Sequence, residues 1–106
     1  MNISLKEVFK ELPIHFEGKG QVKGYTFTQI SKTDWGFIYE VEHSGHRHYE
    51  VFKKRLNRRF GTVSYPTDKA FGIWAWTCMS LETAKKKLLD LSETSTFQHL
   101  PLEVDI

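Results

Sequence analysis

The 106-residue sequence predicts one α+β domain. A helix, an antiparallel sheet of three to five strands and a second helix should follow one another, with both helices packed on one face of the sheet. Three features predict it. A capped amphipathic run opens the chain and stops at Pro13, residues 22–52 alternate in strand fashion around two turn signals, and a second capped run begins at Ser80. Each helical run carries a single apolar stripe, so each buries one side only, and a shared sheet face satisfies both.

The first helix is read from Ser4 and Glu7, which have the spacing of a capping box, with Ile3 and Val8 at the staple positions. Leu5, Val8, Phe9 and Leu12 then recur at helical spacing until Pro13 ends the run. Residues 14–21 read as a loop. Its glycines, Gly18 and Gly20 with Gly24 beyond, form no phosphate cradle, because no helix start follows to align backbone N–H groups.

Three strands follow. Val22–Ser31 is rich in Thr, Tyr, Phe and Ile, Lys32-Thr33-Asp34 turns the chain, and Trp35–His43 alternates cleanly. Ser44-Gly45 is a two-residue hairpin turn, with glycine supplying positive φ. That turn sets a register in which Glu42 faces Arg47, Glu40 faces Tyr49, Ile38 faces Val51, Val41 faces His48, Tyr39 faces Glu50 and Phe37 faces Phe52. The face carrying Trp35, Phe37, Tyr39, Val41 and Phe52 is the expected core face.

Residues 53–72 fit either an extension of the third strand or a short helix using Phe52, Leu56 and Phe60, followed by extended residues from Val63 to Tyr65 and a turn at Pro66-Thr67-Asp68. Phe71–Cys78 reads as a strand apolar on both sides, with Ile73 and Ala75 on one and Trp74 and Trp76 on the other. Ser80 caps a helix whose stripe is Leu81, Ala84, Leu88 and Leu91. Residues 1–106 form a single domain in which 92–106 is an acidic tail, docked as an edge strand or loose.

Composition narrows the class. Cys78 is the single cysteine, so no internal disulfide staples the domain as it would a small secreted one. No apolar run reaches the length of a membrane span, and the N-terminus lacks a signal-peptide core. A cytoplasmic protein with no membrane association is expected. All 15 Lys and Arg lie in residues 1–89, whereas 90–106 carry Asp90, Glu93, Glu103 and Asp105 and no cation. A basic body with an acidic tail is a marked asymmetry, which a solvated surface partly satisfied by its own tail would equally produce.

Five of the seven residues from Lys53 to Arg59 are cations (Lys53, Lys54, Arg55, Arg58 and Arg59), and Arg47 lies on the adjoining hairpin. Such density neutralises phosphates and releases counterions, and neighbouring Tyr49, Phe60, Tyr65, Trp74 and Trp76 are candidates to stack on bases. The competing reading is an edge strand guarded by charge against aggregation, with the aromatics buried. His43, His46 and His48 fall on one sheet face in the predicted register, which makes them weak candidates for a metal and, beside Arg47, for phosphodiester cleavage. Cys78 reads as a small buried hydrophobe, and the sequence contains no nucleotide-binding loop, zinc-ligand repeat or nucleophile elbow. No cofactor is expected.

The helix–three strands–helix order resembles the double-stranded-RNA-binding domain in topology. That family's basic residues sit at the start of its second helix, whereas Lys85, Lys86 and Lys87 fall in mid-helix here and residues 54–72 have no counterpart, so no residue role is carried over. The resulting expectation is a small non-enzymatic module that contacts nucleic acid, or an acidic, nucleic-acid-handling protein, through Arg47, Lys53, Lys54, Arg55, Arg58 and Arg59. The alternatives are an interaction or inhibitor domain using the aromatic surface and the acidic tail, and a metal-independent ribonuclease built on the three histidines. Oligomeric state is open.

Overall fold

The computed structural model describes residues 9–92. Seven strands and one helix make up its regular elements: β1 (His15–Glu17), β2 (Thr26–Lys32), β3 (Gly36–His43), β4 (His46–Lys53), β5 (Leu56–Asn57), β6 (Thr62–Val63), β7 (Ala75–Cys78) and α1 (residues 81–92). Five strands form one antiparallel sheet in the order β1-β2-β3-β4-β7, and β5 and β6 form a separate hairpin. The antiparallel sheet is as expected, but the arrangement of two helices on one sheet face is not. Among the described residues there is a single α-helix, at the C-terminal end, besides short 3-10 turns at Gly20–Val22 and Asp68–Ala70.

The predicted first helix is the main correction. Its capping box, Ser4 with Glu7, and its staple, Ile3 with Val8, lie outside the described residues, but its final turn does not. Residues 9–13 are not helical: Lys10 N–H donates to Gly61 O at 2.8 Å, and Val63 N–H donates to Lys10 O at 2.9 Å. Pro13 disfavours the helical conformation at Leu12. From this non-helical course Phe9 and Leu12 both pack on the core. The resemblance to the double-stranded-RNA-binding domain rested on that helix and ends with it.

Residues 14–21 are likewise not simply a loop. β1 pairs Phe16 with Phe27 of β2, and the two rings stack at 4.7 Å with planes 3° apart. A three-residue strand is too short to show alternation, which is why it escapes a periodicity reading.

The β3–β4 hairpin has the predicted register at every position, from Phe37↔Phe52 to His43↔His46. Its turn places Ser44 at φ 54° and Gly45 at φ 81°. Positive φ at both central positions is the geometry that matches strand twist. At the preceding turn the Thr33 hydroxyl accepts the N–H groups of Trp35 and Gly36 and donates to Gly36 O.

The sheet is buried on both faces. On one, Phe27, Phe37, Tyr39, Val41 and Phe52 are buried, and they are covered by irregular chain: Phe9, Leu12, Tyr65, Phe71 and Trp74. On the other, Ile38, Tyr49, Val51 and Cys78 lie under Ala84, Leu88 and Leu91 of α1. The expected core face is thus one of two, and Trp35, predicted to share it, packs on the other. Its indole Nε1–H donates to Leu88 O at 2.9 Å. The strand predicted over 71–78 begins only at Ala75. Residues 72–74 are a turn in which Ile73 points outward at 70% exposure.

α1 matches its prediction closely. Ser80 Oγ accepts Thr83 N–H at 3.1 Å as the cap, and the stripe is buried at Ala84, Leu88 and Leu91, with Leu81 half-buried. Ser92 is helical, so the predicted tail does not begin there; residues 93–106 lie outside the described residues.

Candidate nucleic-acid interface

β4 delivers the basic segment to one end of the sheet, where its backbone is pinned. Lys53 N–H donates to Trp74 O and Lys54 N–H to Trp35 O, both at 2.9 Å. Residues 53–59 are therefore neither a helix nor a long extension of β4. They run into a small hairpin in which Leu56 pairs with Val63 and Asn57 with Thr62. Residues 58–61 form its loop. Asn57 Oδ1 accepts Phe60 N–H at 3.1 Å, and Gly61 takes φ 66°. An Asn side chain that satisfies a turn N–H, with glycine in the left-handed region, is a locally specified turn.

This loop holds Arg58, Arg59 and Phe60 in solvent, with Phe60 69% exposed. Each arginine of the segment lies over an aromatic ring, at 5.1 Å for Arg55 over Trp74, 5.7 Å for Arg58 over Phe9 and 5.3 Å for Arg59 over Phe60. Ring contacts of this kind orient a guanidinium without neutralising it. Among the described residues neither Arg55 nor Arg59 has a carboxylate partner. Exposed Lys10, bridged to Thr62, adds a cation that the sequence reading did not assign to the cluster.

Arg47 does not join this group. It sits six residues back along β4, roughly 20 Å away at strand rise. It is engaged there by Glu40, with Nε 3.4 Å from Oε2.

The aromatic candidates divide as follows. Tyr49 is buried in the core under α1. Tyr65 donates its hydroxyl to Glu50 Oε1 at 2.6 Å and packs edge-on against Phe16, Phe27, Tyr39 and Phe52. Trp74 is half-buried beneath Arg55, and Trp76 is half-buried beneath Lys87, whose Nζ is 4.2 Å from the ring centre. The exposed ring is Phe60, and its signal in the sequence was its place directly after Arg58-Arg59.

The histidines share a sheet face, yet two of the three side chains are engaged separately. His43 stacks on Tyr25 at 4.1 Å, while His48 Nε2 lies 3.2 Å from Glu50 Oε2. Arg47, which alternates with His46 and His48 along β4, points to the opposite face. Arg47 is therefore not placed beside the three histidines. Among the described residues no three His, Cys, Asp or Glu side chains are grouped to hold a metal ion. No described helix is long and apolar enough to cross a membrane.

No protein-family model matches this chain, and neither a curated protein nor a solved structure proves similar to it.

Proposed function

We propose that the protein is a non-enzymatic binding module that contacts nucleic acid through the β5–β6 hairpin and its approach, Lys53 to Phe60. One observation carries this reading: the exposed Arg59–Phe60 pair at the tip of a turn that Asn57 and Gly61 hold in shape. A guanidinium and a solvent-facing ring side by side match a phosphate and an adjacent unpaired base. Lys10, Lys53, Lys54, Arg55 and Arg58 extend the positive surface, whereas Arg47 drops out of the proposal. The proposed location is the cytoplasm, where a lone thiol such as Cys78 stays reduced.

Fluorescence anisotropy with labelled single-stranded and duplex RNA and DNA at low salt tests this. Binding is expected, with single strands favoured because stacking on Phe60 needs an unpaired base. Phe60→Ala should weaken single-strand binding by about 1–3 kcal/mol and leave the melting temperature unchanged, since the ring is outside both cores. Absence of binding to all four probes at low salt would defeat the proposal.

A further inference from the structure

On the sheet face that α1 does not cover, β1, β2, the Gly20–Val22 turn and the segment after β6 line a half-open cavity of about 390 Å³. Small-molecule sites usually fall at roughly 300–1,000 Å³. Its apolar wall is four aromatic rings, from Phe16, Phe27, Tyr65 and Phe71. Tyr65 stands edge-on to the stacked Phe16–Phe27 pair at 5.5 and 5.4 Å. Aromatic faces of this kind attract a cation that approaches them.

The charge is equally one-sided. Three carboxylates, Glu17, Glu50 and Asp68, line the cavity against the single ammonium of Lys19. Glu50 is the inner one, with a side chain only 14% exposed, while Glu17 and Asp68 belong to the exposed rim. Its two oxygens are held in place, Oε1 by the Tyr65 hydroxyl at 2.6 Å and Oε2 by His48 Nε2 at 3.2 Å. An ionised carboxylate offers about four acceptor positions, so these two contacts fix its orientation and leave capacity for a further donor.

We propose that this cavity binds a small organic cation, an ammonium group carried on an aromatic or alkyl body, with the body among the four rings and the ammonium on Glu50. The site shares no residue with the basic hairpin, so it stands or falls separately from the nucleic-acid reading. It makes the opposite demand on charge: the hairpin selects anions, and the cavity selects cations.

Three near-isosteric probes test it on the unaltered full chain by two-dimensional NMR titration and calorimetry: 3-phenylpropylammonium, neutral 3-phenylpropanol and anionic 3-phenylpropionate. The ammonium should bind at least about tenfold more tightly than the alcohol, and the carboxylate should not bind. Shifts should centre on Phe16, Phe27, Tyr65 and Phe71. Glu50→Gln, in which the amide oxygen still accepts from Tyr65, should remove most of the preference for the ammonium. Asp68→Asn, on the exposed rim, should reduce it by a smaller factor and serves if the Glu50 variant does not fold. Equal affinity for ammonium and alcohol, failure of all three probes up to about 10 mM, shifts clustered elsewhere, or a preference unchanged in the folded Glu50 variant would each overturn the proposal.

Discussion

The Tyr65 hydroxyl donates to Glu50 Oε1 across 2.6 Å, tying the chain after the β5–β6 hairpin onto the centre of β4. Burial pushes the Tyr65 phenol well above its ordinary 10.0, and the negative charge of Glu50 adds to the effect. Burial raises Tyr39 in the same direction; its hydroxyl donates to Pro13 O at 2.7 Å. Both hold their protons in the fold beyond the pH at which the unfolded chain releases them. Their stabilising contribution is therefore complete below pH 10 and declines as pH rises above it, by up to about 1.4 kcal/mol per pH unit for each phenol. Tyr65→Phe should cost about 1.5–3 kcal/mol at neutral pH, the usual range for a hydrogen bond to a charged group. It should also make the alkaline decline shallower. Denaturant melts at pH 8, 10 and 11 check both, and an alkaline slope identical to wild type would mean that Tyr65 is not buried as described.

Gly36 lies between the β4 backbone and Leu88 of α1. A Cβ there would lie 2.5 Å from Phe52 O and 3.1 Å from Leu88 Cδ1. The first obstacle is backbone in the middle of the sheet, which cannot swing aside. Gly36→Ala should cost about 1–3 kcal/mol by overpacking, a fall of at least about 4 °C in melting temperature for a domain of this size. Calorimetry reads this directly, and an unchanged melting temperature would show that Gly36 lies farther from the Phe52 carbonyl than described.

Cys78 ends β7 within the core under α1, buried as its sequence position suggests. Burial pushes its thiol above the ordinary value, and the Lys87 ammonium pulls more weakly the other way. Reaction with an aromatic disulfide reagent at pH 8 should be slow in the native protein and immediate in denaturant. Complete native labelling within seconds would contradict the packing of α1 over β7.

What the sequence made legible was local. The β3–β4 register follows from the Ser44-Gly45 turn and strict alternation, and α1 from the Ser80 cap and its stripe; both use residues close along the chain. The failures are non-local. The apolar positions Phe9 and Leu12 suited a helix face equally well, and only the pairing of Lys10 with the distant β5–β6 hairpin settles their non-helical course. β1 is identified by its partner β2, not by its own three residues. Trp35 precedes the alternation it was assigned to, and the Thr33 turn sends it to the helix side. Two-sided burial of the sheet was hidden because irregular chain covers one face, and irregular chain has no period to read. Within the candidate site the basic run was visible as composition. The roles of Asn57 and Gly61 in exposing Phe60, and the separation of Arg47 from the cluster, needed the fold.

The salt dependence of binding tests the basic hairpin most directly. Each phosphate contact contributes about 0.7–0.9 to the slope of log affinity against log salt concentration. Arg55→Ala, Arg58→Ala and Arg59→Ala together should therefore lower that slope by about 2 for a single-stranded probe. The melting temperature should stay near wild type, because all three arginines are exposed. Arg47→Ala should leave the slope unchanged. A triple variant that binds with the wild-type slope, or an Arg47 variant that loses as much as the triple one, would contradict the assignment of the interface to the β5–β6 hairpin.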